Sequence, residues 1–138
     1  MITISDIGHI IFDECRFLDM PTYVMTNLPD EYVSSADKVD GRGRIVVIPK
    51  FATADKTYFN DCTVEVNILL PDVGGEANNQ LDVLLRKAYT QLDDGRCGDK
   101  DGDFWRISVQ RYSIEDEPNL NCHYVNLTIL FEILNIRR

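Results

Sequence analysis

The spacing of apolar positions along the chain switches between two periods. Ile4, Ile7, Ile11, Cys15 and Leu18 recur at three and four residues, the stripe of an amphipathic helix over Ile4 to Leu18. Ser5 offers a hydroxyl to cap its first turn, Asp6 suits the positive end of the dipole, and Pro21 stops it. Within Arg44 to Phe51, the β-branched run Ile45-Val46-Val47-Ile48 predicts a strand, and Pro49 restricts its far end to a sheet edge or an exit. Ala52 to Asp61 reads as loop. From Cys62 to Leu70 the period is two, with Val64, Val66, Ile68 and Leu70 inward and Thr63, Glu65 and Asn67 outward. The breaker cluster Pro71-Asp72-Val73-Gly74-Gly75 leads into a second helix, capped by Asn78, with Leu81, Leu84, Leu85, Ala88 and Leu92 as its stripe. Asp93-Asp94-Gly95 ends it.

The last third, Phe104 to Ile136, predicts one long β-hairpin. Its first strand runs from Phe104 to about Tyr112, Ser113 to Asn121 connects, and Cys122 to Ile136 returns. In the return strand Val125, Leu127, Ile129, Phe131 and Ile133 share one face, while Asn126, Thr128 and Glu132 share the other. At about 3.3 Å per residue, Tyr124 to Ile136 would reach about 40 Å, roughly twice a typical strand. Leu130, Leu134 and Ile136 make the second face largely apolar too, so residues 129 to 136 call for burial on both sides. That pattern predicts oligomerisation, with Leu130, Leu134 and Ile136 at the interface.

The element order is helix, strand, strand, helix, strand, strand. It predicts a single α+β domain over residues 1–138: a mostly antiparallel sheet of about four strands with both helices on one face. Residues 22 to 43 match no period. Asn27-Leu28-Pro29-Asp30 and Asp40-Gly41-Arg42-Gly43 read as turns, and Val33-Ser34-Ser35-Ala36-Asp37 as an exposed, mobile stretch.

Composition adds exclusions. Neither a signal peptide nor a membrane span is expected, because Asp6, Asp13 and Glu14 interrupt the apolar positions of the N-terminus. A net charge of −9 repels phosphate backbones and argues against sequence-independent grip on nucleic acid. Cys15, Cys62, Cys97 and Cys122 form no CxxC pair and read as reduced thiols, mostly small core residues. Cys97, Cys122 and His123 have no metal-ligand spacing to support a site across the hairpin.

The remaining candidate chemistry is thin. Asp99-Lys100-Asp101-Gly102-Asp103 imitates the start of a calcium loop, but Phe104 stands where that loop wants glycine and Gln110 where it wants glutamate; a solvated acidic turn is the simpler reading. Gly41-Arg42-Gly43-Arg44 lacks the spacing of a phosphate-binding loop, which leaves Arg42 and Arg44 as candidates for a protein interface. Cys122 and His123 are neighbours on a strand and point to opposite faces, so they make no catalytic dyad. Phe104, Trp105, Tyr112 and Tyr124 read as cross-strand packing rather than a stacking platform, since they lack basic companions. No catalytic residue, cofactor or metal is expected.

The layout resembles the tail-terminator and tail-completion proteins of contractile- or siphophage-type virions. The resemblance rests on element order over Ile4 to Ile136: the N-terminal helix, the Ile45-to-Ile48 and Val64-to-Leu70 strands, the Pro71-to-Gly75 break, the Asn78-to-Leu92 helix and the closing hairpin from Trp105 to Ile136. It implies a homo-oligomeric ring, commonly a hexamer, between the tail tube and the neck or connector. The lumen of such a ring passes DNA without binding it specifically. It also implies no cofactor, no catalysis and no membrane, and location in the virion after assembly in the bacterial cytoplasm. A head-closure or neck protein is a close relative of this reading. A cytoplasmic ligand-binding or regulatory α+β domain is a rival, and an enzyme with its site in the 20s to 40s is another.

Overall fold

A computed structural model describes residues 2–24, 43–52, 59–71, 77–93, 96–100, 102–117 and 122–134. The elements in chain order are α1 (Ile4–Glu14), a 3-10 turn (Arg16–Leu18), β1 (Thr22–Val24), β2 (Arg44–Ala52), β3 (Phe59–Pro71), α2 (Ala77–Asp93), β4 (Cys97–Lys100), β5 (Asp103–Glu117) and β6 (Cys122–Leu134). The strands form one six-stranded sheet in the order β1-β2-β3-β6-β5-β4. β1 runs parallel to β2, and every other neighbouring pair is antiparallel.

The fold class is α+β, with two helices as expected, but the sheet is mixed and has six strands rather than about four. The two additional strands are too short to show a period. β1 has three residues and β4 has four. Other boundaries move as well. Asp6 matters more than Ser5 at the first helix: Thr3 is the N-cap, its Oγ1 accepting the Asp6 N–H at 3.2 Å while Asp6 Oδ2 accepts the Thr3 N–H at 3.0 Å. That reciprocal pair satisfies two otherwise orphaned donors. The α-helix ends at Glu14, and Leu18 reaches the core through the 3-10 turn. Asn78 lies inside α2, which starts at Ala77.

β3 starts at Phe59, so the end of the expected Ala52-to-Asp61 loop is strand, and β5 continues to Glu117 instead of stopping near Tyr112. Pro49 is paired with Val64 beside a bulge, and β1 covers β2 only from Ile45 to Val47, so the outer edge is open where the proline's missing N–H falls. The expected turn at 27–30, the stretch 33–37, the turn at 40–43 apart from Gly43 and the break at 71–75 apart from Pro71 lie outside the described residues; Pro71 is the last residue of β3, opposite Cys122.

One core holds these elements together. The inward residues Ile45 and Val47 of β2, Val64, Val66 and Ile68 of β3, and Val125, Leu127, Ile129 and Phe131 of β6 are all buried. They pack in one cluster with Ile7 and Ile11 of α1 and Leu81, Ala88 and Leu92 of α2, which places both helices on the same face. Gly8 lets α1 settle there, since a β-carbon at this position would collide with Val24 of β1. Trp105 of β5 stacks on Phe131 with centroids 5.5 Å apart.

Removing the Thr3 hydroxyl with Thr3→Ala is expected to cost about 1 kcal/mol and lower the melting temperature by roughly 4 °C. The Thr3 backbone N–H holds the Asp6 carboxyl below its ordinary value of 3.8. A carboxyl with a depressed folded-state pKa stabilises above its unfolded-state pKa, and that gain disappears as pH falls through the folded-state value. Asp6→Asn should therefore lower the melting temperature at pH 7 and leave it nearly unchanged near pH 2.

Candidate assembly surface

The sheet has one face under the helices and one face turned away from them. Pairing fixes which side chains occupy the second face. Thr63, Glu65 and Asn67 of β3 stand opposite Leu130, Thr128 and Asn126 of β6, and Arg106, Ser108 and Arg111 of β5 stand opposite Glu132, Leu130 and Thr128. Polar contacts knit this face: Asn126 Nδ2 donates to Asn67 Oδ1 at 2.6 Å, Arg106 Nε to Glu132 Oε1 at 3.1 Å, and Lys50 Nζ lies 3.1 Å from Glu65 Oε2. Arg111 Nε donates to Thr128 Oγ1 at 3.3 Å. The ion pairs contribute little stability each, but with the part-buried hydrogen bonds they fix side chains in place across the strands.

The long strand that called for burial on both sides is flanked by its own protomer over its described residues. Every residue of β6 is paired to β3 on one side and to β5 on the other, with Gln110 of β5 left over at a bulge. The length of the strand is met inside the protomer. Ile129, Phe131 and Ile133 are enclosed beneath the helices. Leu130, the first of the expected interface residues, is half-buried between Thr63 and Ser108, not part of a continuous apolar layer. Leu134 is placed by its backbone, opposite Phe59 and Phe104. Ile136 and Arg42 lie outside the described residues.

Arg44 is placed inside the protomer. It is 8% exposed, its Nη1 donates to the Tyr23 hydroxyl at 2.5 Å, and its guanidinium lies 5.4 Å from the centroid of the Tyr23 ring. That combination of stacking and hydrogen bonding ties β2 to β1. A residue that sequence reasoning placed in packing alone, Phe104, is 49% exposed on the second face near the base of the hairpin. Its signal was alternation: Trp105 and Ile107 face inward, so Phe104 cannot.

The bulge between Val109 and Arg111 shifts the phase of β5 by one residue. Before it, Trp105, Ile107 and Val109 face the helices; after it, Tyr112 and Ile114 do, while Arg111, Ser113 and Glu115 face away. The Val109 N–H at the bulge donates to Asp93 Oδ1 at the end of α2, 2.8 Å away. The four expected aromatic neighbours therefore divide between faces. Trp105 is buried, and Tyr112 meets Tyr89 of α2 edge-on at 6.0 Å.

The calcium-loop lookalike is the β4–β5 hairpin. Lys100 pairs with Asp103 across a two-residue turn in which Gly102 has φ of 88°, and Asp103 is buried. Cys97 stands opposite Arg106 and Cys122 opposite Glu117, about 35 Å apart along β5, so these two cysteines cannot share a metal. No group of three or more His, Cys, Asp or Glu side chains placed to hold a metal occurs among the described residues. Grooves indent the surface among the described residues. An apolar one of about 530 Å³ lies between the 3-10 turn and α2, lined by Leu18, Met20, Leu70, Val83 and Leu84 among others. One of about 500 Å³ lies at β4 beside Trp105, and one of about 450 Å³ separates α2 from β5 at Tyr89 and Tyr112.

No family model matches the chain, and no curated protein does. Solved structures do. A chain from the virion of a native gene transfer agent particle is similar over 88% of this chain and 84% of its own, with a TM-score of 0.53 and 11% identity. A second solved structure is similar over 98% of this chain and 94% of its own, with a TM-score of 0.55 and 12% identity. At these identities the likeness establishes a shared fold, carried almost from end to end. No helix among the described residues is long and apolar enough to cross a membrane.

Cysteine chemistry follows from burial. Desolvation, reinforced by Glu14, pushes the Cys15 thiol up to about 12, and Cys62 is buried, while Cys97 is exposed. At pH 8 a maleimide should label Cys97 within minutes and leave Cys15 and Cys62 unlabelled until denaturant is added. Peptide mapping that found Cys15 labelled in the native protein would contradict this packing.

Proposed function

We propose that the chain is a non-enzymatic virion assembly protein of the tail-terminator or tail-completion type, forming a ring at the head-proximal end of a tail tube. The observation that carries the proposal is the fold shared, over most of both chains, with a component of a gene transfer agent virion. The element order adds to it: an N-terminal helix, a central amphipathic helix and a closing hairpin around one sheet. Ring contacts in this account come from the sheet face turned away from the helices, at the base of the hairpin. Leu130 and Phe104 are apolar positions on it, Leu134 ends the same strand, and Ile136, outside the described residues, is proposed as a further contact. Arg42, outside the described residues, is proposed as a further contact at the ring interface, while Arg44 is held within the protomer against Tyr23.

Repeated head-to-tail contacts close into a ring when the rotation closes. Its partners are further copies of the chain, the tail tube and the neck or connector. The net charge of −9 suits a conduit past which DNA slides without sticking. A head-closure role in the same neck is the nearest alternative. The ligand-binding reading is favoured by one feature, the apolar groove between the 3-10 turn and α2, and predicts a compound that raises the melting temperature.

The test is genetic and structural. In a host that makes the particle, disrupting this gene should yield heads and tails that fail to join, or tails of uncontrolled length. A Leu130→Glu protein that folds normally by circular dichroism should fail to restore joined particles. Normal particles without the protein would overturn the proposal.

A further inference from the structure

The outer edge of β5 carries information about what would cover it. β4 pairs with β5 only from Asp103 to Arg106. The Arg96 carbonyl takes the N–H of Ile107, and the Asp93 carboxylate takes that of Val109. Beyond the bulge, from Arg111 to Glu117, no strand among the described residues pairs with this edge. An open strand edge presents a row of N–H and C=O groups spaced for one occupant, another extended strand. Its flanking side chains are also uncovered. Tyr112 is 56% and Ile114 is 45% exposed on the helix side, with Tyr89 widening the apolar patch, and Arg111 and Glu115 are exposed on the other side.

We infer that this edge pairs antiparallel with the same edge of a second copy of the chain, about a twofold axis at Ser113. A twofold contact requires a self-complementary strand. With the axis at Ser113, Arg111 faces Glu115 and Tyr112 faces Ile114, and symmetry makes each pair twice. Opposite charges and aromatic–aliphatic neighbours directly across strands are both stabilising. The adjacent registers fail on one face or the other. An axis at Tyr112 sets Arg111 against Ser113 and leaves the carboxylates without a cation. An axis at Ile114 sets Tyr112 against Asp116, and an axis at Glu115 sets like charges face to face. The bulge, with its N–H taken by Asp93, ends the pairable edge on the other side. This contact lies on a different surface from the ring contact at the base of the hairpin and closes on itself at two copies.

Crosslinking reads the contact directly. In a Cys97→Ser background, Ser113→Cys should form a disulfide-linked pair under mild oxidation. The Cys97→Ser parent and a Lys87→Cys control on the exposed face of α2 should not. Adding Arg111→Glu or Glu115→Arg should each slow crosslinking roughly tenfold, since each creates two like-charge pairs. Combining them should restore the rate, and circular dichroism checks that every variant is folded. The inference is overturned if Ser113→Cys crosslinks no faster than the control, or if the double reversal is as slow as the single ones.

Discussion

The structure depends on the position of its last strand. β6 lies between β3 and β5, so its backbone groups are paired on both edges, and its Val125, Leu127, Ile129, Phe131 and Ile133 side chains are buried under the helices. A strand with that much apolar surface on one face cannot sit at a sheet edge without leaving polar backbone unpaired and oily side chains half-covered. Inserting it centrally solves both problems. The chain reaches that arrangement by crossing from β3 through α2 to the far side of the sheet, building β4 and β5, and returning inward. α2 is thereby laid across β3, β6 and β5, with Leu81, Ala88 and Leu92 closing the core.

Placing β6 in the middle decides which surfaces are left. β5 becomes the long outer strand, covered at its base by β4 and open beyond the bulge. The bulge does two jobs at once: it rotates Tyr112 and Ile114 to the helix side, and it turns a backbone N–H toward Asp93 at the end of α2. The face away from the helices receives the other half of every strand, a mixture of cross-strand polar pairs with Phe104 and Leu130 among them. Among the described residues, these are the surfaces on which the proposed assembly role rests.

Long elements were legible in the sequence, and short or phase-shifted ones were not. Val64 to Leu70 and Val125 to Ile133 alternate without interruption, so both strands and their inward faces could be read directly. The stripe of Leu81, Leu84, Leu85, Ala88 and Leu92 identified α2 for the same reason. β1 and β4 escaped because three or four residues hold no period, and β4 carries Gly98 and Asp99, which resemble a turn. The extension of β5 to Glu117 was hidden by Gln110, the extra residue at the bulge, which breaks the alternation. The capping box was spelled out by Thr3 and Asp6 three positions apart, yet the apolar stripe drew attention to Ser5. The proposed assembly surface was the least legible. Leu130 looked like part of a second greasy layer because sequence gives no view of Thr63 and Ser108 on its flanks, and the open edge of β5 exists only once strand order is known.

The proposed assembly role rests on the fold shared with a gene transfer agent virion component and on the two sheet surfaces described above. Native mass spectrometry with negative-stain imaging of the purified protein tests this most directly. One discrete species of several subunits is expected, seen as a ring with a central opening and broken down by a charge at Leu130. A monomer at every concentration, or nothing larger than a pair, would contradict the ring.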